Sequence, residues 1–487
     1  MTEISTPNWT KHAIFYQIFP DRFSRSSQIN HPPGLRFKPW GTPPEEQGFQ
    51  GGDLYGIIEN IDYLQDLGIN ALYLNPIFSS ASNHRYHTYD YYQVDPLLGG
   101  NKALRKLLDV AHDRGIRIVL DGVFNHASRG FWAFHHILET GINSPYLDWF
   151  EISEWPLRPY NSDEKFPHNY RSWINLPALP EFNTDNPVVR EYIFDVARHW
   201  LEFGIDGWRL DVPADIDDDE FWQEFRQIVK GVNKEAYICG EIWLNAQRWL
   251  QGDQFDGVMN YLITSPLLSF FGGKSLRPGF QRENLTLSPI NAEEFSQAIG
   301  KMYSLYAWEI NYSQMNMLDS HDMARALWIM SNDKAALKLC VLAMMTLPGA
   351  PCIYYGDEIG MSSAGDPFCR GAFPWHEKEK WDLDLLEHYK NATTLRNNHP
   401  IFRVGSFRSV YAKDDVYAFL RGYQGQLAFV VFNNSINQQQ VRIPLTGVQQ
   451  KKVNQIWPSN KNKSIEFSDR HLGVMLPKKD GLVILFD

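Results

Sequence analysis

Eight short apolar runs, set apart by loops and helical patterns, constrain this chain more than any other feature. They are Ala13 to Phe19, Ala71 to Asn75, Ile116 to Asp121, Gly207 to Asp211, Tyr237 to Glu241, Gly257 to Tyr261, Asn316 to Asp319 and Pro351 to Tyr355. Between several of them apolar residues recur at helical spacing, as in Ile57 to Leu67 before Gly68, Ala103 to Arg114, Val188 to Phe203 and Asp219 to Val232. Regular alternation of this kind means a parallel sheet, since each helix carries the chain back to start the next strand. Eight such units predict an α/β chain built on a (β/α)8 TIM barrel.

Two stretches break the cadence. Residues 127–180, between the third and fourth strands, are too long for an ordinary loop and are rich in Trp, Tyr, Pro and His. They predict a subdomain inserted in a barrel formed by 1–126 and 181–399. Past Pro400, alternating runs (Val416 to Leu420, Leu427 to Phe432, Val441 to Pro444 and Gly481 to Phe486) replace the helical spacing. These predict a C-terminal antiparallel β-sandwich over 400–487. With the first strand starting by residue 13, no folded N-terminal domain is expected ahead of it.

Charge and composition narrow the partners. Lys plus Arg is 46 against 57 Asp plus Glu, a net charge of −11 that opposes binding to nucleic acid or to an anionic membrane. The 16 Trp, 23 Tyr and 30 Phe call for a use beyond packing. Met1 to His12 is polar, unlike a secretory signal, and no later run approaches a membrane span, so a cytoplasmic protein is expected. Cys239, Cys340, Cys352 and Cys369 are scattered without a C-x-x-C pair and read as free buried thiols.

In a barrel of this kind the chemistry lies at the C-terminal ends of the strands. The third ends in Asp121-Gly-Val-Phe-Asn125-His126, the fourth in Arg209-Leu-Asp211, the fifth in Glu241 and the seventh in Asp319-Ser-His321-Asp322. Converging carboxylates permit a Mg²⁺ or Ca²⁺ cage, a metal-assisted hydrolysis, or a carboxylate pair acting on an acetal. Arg209 shares a strand face with Asp211, which argues against the cage. A guanidinium there favours an ionised, nucleophilic Asp211, whereas Glu241, crowded by acids and by Trp243, is expected to hold its proton and act as an acid. That is the arrangement of a retaining glycosidase.

These four segments resemble the signatures of the α-amylase family of glycoside hydrolases. The resemblance runs from about residue 12 to the end, and implies Asp211 as nucleophile, Glu241 as general acid/base and Asp322 as a carboxylate that holds sugar hydroxyls. It assigns Arg209, His126 and His321 to the sugar at the cleavage site. Phe15-Tyr-Gln-Ile-Phe-Pro-Asp-Arg-Phe23, Asn83-His84-Arg-Tyr86, Leu179-Pro-Glu-Phe-Asn183, Tyr354-Tyr-Gly-Asp-Glu358 and Gly365-Asp366-Pro-Phe-Cys-Arg370 are similar to the cyclomaltodextrinase and neopullulanase group. In that group the counterparts of His84 and Tyr86 contact the sugar being cleaved, and those of Asp366 and Arg370 grip the next one.

The departures from that group also carry information. Its N-terminal β-domain, the usual route to a dimer, has no counterpart here, so a homodimer would have to form otherwise; this resembles the short debranching enzymes. Val212-Pro213-Ala214-Asp215 stands where the group reads Val-Ala-Asn-Glu, and Ile242-Trp243-Leu244 where it reads Ile-Trp-His. Both changes fall on the leaving-group side. Ser24 to Pro33 contains no acidic residue, so a structural Ca²⁺ finds no support there, and neither a cofactor nor a catalytic metal is expected.

The implied activity is a retaining hydrolysis of α-1,6 and α-1,4 bonds in maltooligosaccharides, pullulan, cyclodextrins and branched dextrins. A transglycosylase would use the same residues, and a silent glucan-binding barrel would have lost them. Plainer roles compete for some of these residues. Asp121 can be a support for Arg209, Asp366 and Arg370 a surface ion pair, and Asn125 a cation ligand or a simple hydrogen-bonding residue. Trp132, Trp149, Trp155 and Trp173 can form a small core or sugar platforms, while His87 and Asp215 to Glu220 read as solvated helix-start residues.

Overall fold

A computed structural model describes residues 4–44, 48–161, 163, 165–283, 285–444, 453–458, 465–468 and 471–486. The eight runs form parallel strands: β1 (Phe15–Ile18), β2 (Ala71–Leu74), β3 (Arg117–Gly122), β4 (Gly207–Leu210), β5 (Tyr237–Gly240), β6 (Gly257–Val258), β7 (Met315–Met317) and β8 (Ala350–Tyr354). They lie in the order β7-β8-β1-β2-β3-β4-β5-β6. A parallel bridge between Met259 and Met315 joins the two ends, and the Asn260 N–H donates to the Met315 carbonyl at 2.8 Å. The sheet thus closes on itself and leaves no open edge. All but Arg117 of these strand residues are buried, as a barrel packed inside and ringed by helices requires.

Several ladders end a residue or two before the apolar run does. Asp211 and Glu241 lie just past β4 and β5, yet their N–H groups still bond the Gly122 and Leu210 carbonyls at 3.0 Å. The sixth run is cut shortest, because Tyr261 opens the helix Tyr261–Gly272. A Cβ at Gly207 would lie 2.4 Å from the Tyr237 carbonyl oxygen, so only glycine lets β4 sit against β5 there.

The helices follow their sequence signals. The pattern at Ala103 to Arg114 becomes α1 (Gly100–Asp113), that at Val188 to Phe203 becomes α2 (Pro187–Phe203), and α3 spans Asp219–Val232. Asn186 caps α2 by accepting the Val188 N–H at 2.9 Å, and Gly204, at φ +111°, stops it in the left-handed conformation. Asp218 caps α3 by accepting the Glu220 and Phe221 N–H groups. The face of α3 toward the strands buries Phe221, Trp222, Phe225 and Val229, each contributing roughly 1.5–3 kcal/mol. The single helix suggested by Ile57 to Leu67 is two short ones, Leu54–Glu59 and Ile61–Asp66. They break at Asn60, whose side chain donates to the Ser24 hydroxyl and the Gly56 carbonyl.

Between β3 and α2 the chain builds a lobe over the barrel mouth, with the helix Trp132–Thr140 and the bridges His126 to Glu181, Phe150 to Phe182 and Ser172 to Pro180. Beyond the short helix Pro400–Val404, the C-terminal strands form a five-stranded and a three-stranded antiparallel sheet. Val416, Val431, Ile443, Val474 and Ile484 from both sheets share one core, as a sandwich requires. Two buried arginines tie this unit to the barrel. Arg421 donates to the Phe402 and Gly405 carbonyls, and Arg396 to the Phe402 and Gly349 carbonyls. The four cysteines are buried and free, and no helix among the described residues is long and apolar enough to cross a membrane.

Candidate active site

Strand register assembles the polar cluster. Asp121 of β3 pairs with Arg209 of β4, and Leu210 sits beside Gly240 of β5, so the next residues, Asp211 and Glu241, emerge as neighbours. Arg209 is fully buried, and its Nη1 donates to Asp121 Oδ1 and to Asp211 Oδ1, both at 2.8 Å. Its Nη2 lies 2.8 Å from Glu241 Oε2, an ionic contact without hydrogen-bond alignment. One guanidinium therefore serves three carboxylates, aligned on Asp121 and Asp211 and unaligned on Glu241.

Asp121 is the support among them. Its Oδ2 accepts the Tyr73 and Tyr86 hydroxyls at 2.7 and 2.8 Å, which with Arg209 engages both of its oxygens. Burial raises the Asp211 carboxyl well above the usual carboxylate range; Arg209 opposes this, and the charges of Glu241 and Asp121 add to it. Burial likewise raises Glu241, against Arg209 and with Asp322. Charge crowding of this kind favours a shared proton in the Asp211 and Glu241 pair. The aligned bond from Arg209 favours ionisation at Asp211, against its burial.

Glu241 is fixed by two donors, Trp243 Nε1 to Oε1 and the Val212 N–H to Oε2, both at 3.2 Å. Trp243 itself is held flat against Tyr261, ring centroids 3.7 Å apart. Val212, a β-branched residue, reaches Glu241 only by adopting φ +37°, a strained left-handed conformation.

A second network adjoins the first. Gln17 Nε2 donates to His321 Nδ1 at 2.8 Å, which places the ring proton on Nε2, facing the Tyr86 hydroxyl at 2.6 Å and Asp322 Oδ2 at 3.0 Å. Burial pushes His321 down to about 3, so the imidazole is neutral. Burial works against ionised Asp322, but His321, Arg370 and Arg209 outweigh it and hold this carboxyl below its usual range. Arg370 bridges Asp322 at 3.1 Å and Asp366 at 2.8 Å, so that ion pair is tied to the carboxylate cluster. Asp319 turns away to accept the Ala326 N–H.

The remaining expected residues line the mouth. His84 stacks on Tyr86 at 5.8 Å, and Tyr86 on His321 at 5.5 Å. His126 stacks on Trp173 at 5.2 Å; neither of its buried ring nitrogens has a partner among the described residues, and burial pushes it down to about 3. Trp149 belongs to the core of the lobe, while Trp132 and Trp155 are partly exposed.

Gln17, Tyr73 and Asn75 join the site without standing out in the sequence; Asn75 Nδ2 donates to the Tyr86 hydroxyl and its Oδ1 accepts from Gln17 Nε2, both at 3.1 Å. Their signal was a polar or hydroxyl-bearing side chain in or just after an apolar strand. His87 is not a solvated helix-start residue: it lies in a loop, half-buried, its ring edge-on to His84 at 5.0 Å. Of the acidic run, Asp218 is the cap of α3 and Asp215 accepts from Trp173 Nε1 at 3.0 Å. Asn125, its Nδ2 buried and without a partner among the described residues, faces a cleft lined by Glu151, Glu181, Asp215 and Asp217. Even so, no three His, Cys, Asp or Glu side chains among the described residues are grouped to hold a metal ion.

The alpha amylase catalytic domain family matches residues 17–380. Neopullulanase 2 of Thermoactinomyces vulgaris is 43% identical over 448 residues, 91% of this chain and 73% of that protein. A Bacillus cyclomaltodextrinase is 42% identical over 88% of this chain and 74% of its own length. The solved structure of the Nostoc punctiforme debranching enzyme, 45% identical, superposes with a TM-score of 0.91 over 99% of this chain and all of that one.

Proposed function

Since this chain belongs to the α-amylase family of glycoside hydrolases, we propose that it cleaves α-1,6 and α-1,4 glucosidic bonds with retention of configuration. The substrates would be maltooligosaccharides, pullulan, cyclodextrins and branched dextrins. In the first step Asp211 attacks the anomeric carbon while Glu241 gives its proton to the departing oxygen, forming a glycosyl ester on Asp211. In the second, Glu241 takes a proton from water, which attacks the same carbon and releases Asp211. Arg209, bonded to Asp121 throughout, keeps its charge balanced when esterification removes that of Asp211. Asp322, held ionised, would accept hydroxyls of the reacting sugar, with His84, Tyr86, His126 and His321 around that sugar and Asp366 and Arg370 on its neighbour.

The observation that carries this reading is the unequal contact of Arg209, aligned on Asp211 and unaligned on Glu241. It favours ionisation at Asp211 over Glu241, the difference that nucleophile and acid require. Action on α-1,6 bonds is supported by the likeness to a debranching enzyme and by the leaving-group side, where Leu244 is 53% exposed and Ala214 offers no polar contact. An α-1,6 leaving group swings its chain aside on an extra rotatable carbon and so depends less on such contacts. Chromatography of the products from pullulan, maltoheptaose and a branched dextrin tests the proposal. Release of linear chains from the branched dextrin supports it, and intact substrates would overturn it.

A further inference from the structure

A cavity of about 650 Å³ is lined by Asn83, His84, His87, Asp366 and Arg370, and Arg370 connects it to Asp322. Its size admits more than a single sugar ring. Four rings form a continuous row from the catalytic carboxylates into it: His321, Tyr86, His84 and then His87. The first three are committed to the protein. His321 bonds Gln17, Tyr86 bonds Asp121, and His84 Nδ1 contacts Ser82 Oγ at 3.3 Å. His87 makes no side-chain hydrogen bond among the described residues, and its nitrogens are not sealed off as those of His126 are. Burial, helped by Arg129, lowers its basicity. A neutral imidazole presents one donor and one acceptor, the pair that matches a sugar hydroxyl.

We propose that His87 is a specificity-determining contact for the glycone side of the chain, hydrogen-bonding a hydroxyl of the sugar next to the one being cleaved. The inference rests on the hydrolase reading above. His87 stands one ring farther from the carboxylates than His84 and shares its cavity with Asp366 and Arg370, so a substrate with a single glycone sugar does not reach it. A chain with two does.

The test compares kcat/KM of wild type, His87→Ala and His87→Gln on p-nitrophenyl α-glucoside and p-nitrophenyl α-maltoside. For one neutral hydrogen bond, His87→Ala lowers the maltoside value about three- to tenfold, mainly through KM, and leaves the glucoside value within about twofold. His87→Gln, which can still bond a hydroxyl, recovers part of the maltoside loss. Equal losses on both substrates would mean that His87 only supports the loop, and no loss on either would mean that it touches no sugar; both overturn the proposal. Wild-type enzyme inert on both would instead overturn the hydrolase reading.

Discussion

Asp121→Asn separates the support role of Asp121 from the chemistry beside it. The native carboxylate receives three bonds, Arg209 on Oδ1 and the Tyr73 and Tyr86 hydroxyls on Oδ2. Asparagine keeps one acceptor oxygen and replaces the other with a donor. If the amide nitrogen faces Arg209, two donors collide; if it faces the tyrosines, both hydroxyls lose their acceptor. A charge-assisted bond is worth about 1.5–3 kcal/mol and a stranded buried donor costs about 1–3 kcal/mol. Removing one of three crowded carboxylates relieves some repulsion, but Arg209 keeps Asp211 and Glu241 as partners and the lost bonds dominate. The expected loss is about 2–4 kcal/mol, read from urea unfolding followed by tryptophan fluorescence.

The same change moves the pH profile. The charge of Asp121 is one of the influences that raise Glu241. Removing that charge takes away one of the repulsions, so the Glu241 carboxyl falls back toward its ordinary value. Glu241 donates its proton only below its own pKa, so activity fails as pH rises through that value. Lowering the value moves the alkaline limb of kcat to lower pH. A stability change under about 0.5 kcal/mol together with an unmoved limb would refute the argument that Asp121 both anchors the tyrosines and biases Glu241.

Glu241→Gln removes the acid, so kcat/KM falls by several orders of magnitude on natural glucans and far less on an aryl glucoside whose leaving group needs no proton, while kcat falls on both because the same carboxylate activates water in the second step; more than about a tenth of wild-type kcat on maltoheptaose would refute the role. Asp211→Asn abolishes turnover on both kinds of substrate yet leaves thermal stability equal or higher, because the amide still accepts from Arg209 while one crowding charge is gone; a clear drop in melting temperature would count against that crowding. Leu244→His restores a polar contact for the leaving sugar, so it improves kcat/KM on a linear maltooligosaccharide relative to a singly branched one of equal length, and an unchanged ratio would show that this position does not bear on linkage.

The barrel and its carboxylates were legible because both are local in sequence. An apolar run between loops identifies a strand, and the residue that ends it identifies a side chain at the mouth. Partnerships across strands were not. The closeness of Arg209 to Asp211, with Asp121 as a support, is readable from the strand ends, whereas the contact of Arg209 with Glu241 follows from the register of β4 on β5. Gln17 reaches His321 only because β8 alone stands between β1 and β7 in the closed barrel. His87 read as a solvated polar residue since its cavity needs Asp366 and Arg370 from a loop far along the chain.

The structural burdens of the site coincide with what its chemistry needs. Burial of three carboxylates around one guanidinium is unfavourable, as is Val212 at φ +37°. Yet burial and crowding are what raise Glu241, and the strained Val212, though its N–H opposes that rise, fixes where Oε2 points. In water the same groups would ionise independently, with no proton left to give. A closed barrel can carry this because Asp211, Val212 and Glu241 sit directly on the ends of adjoining strands, where relaxing one means parting the ladder beneath it. Rigidity at the strand ends is thus a condition of the acidity of Glu241, and any change that loosens β4 from β5 should weaken both together.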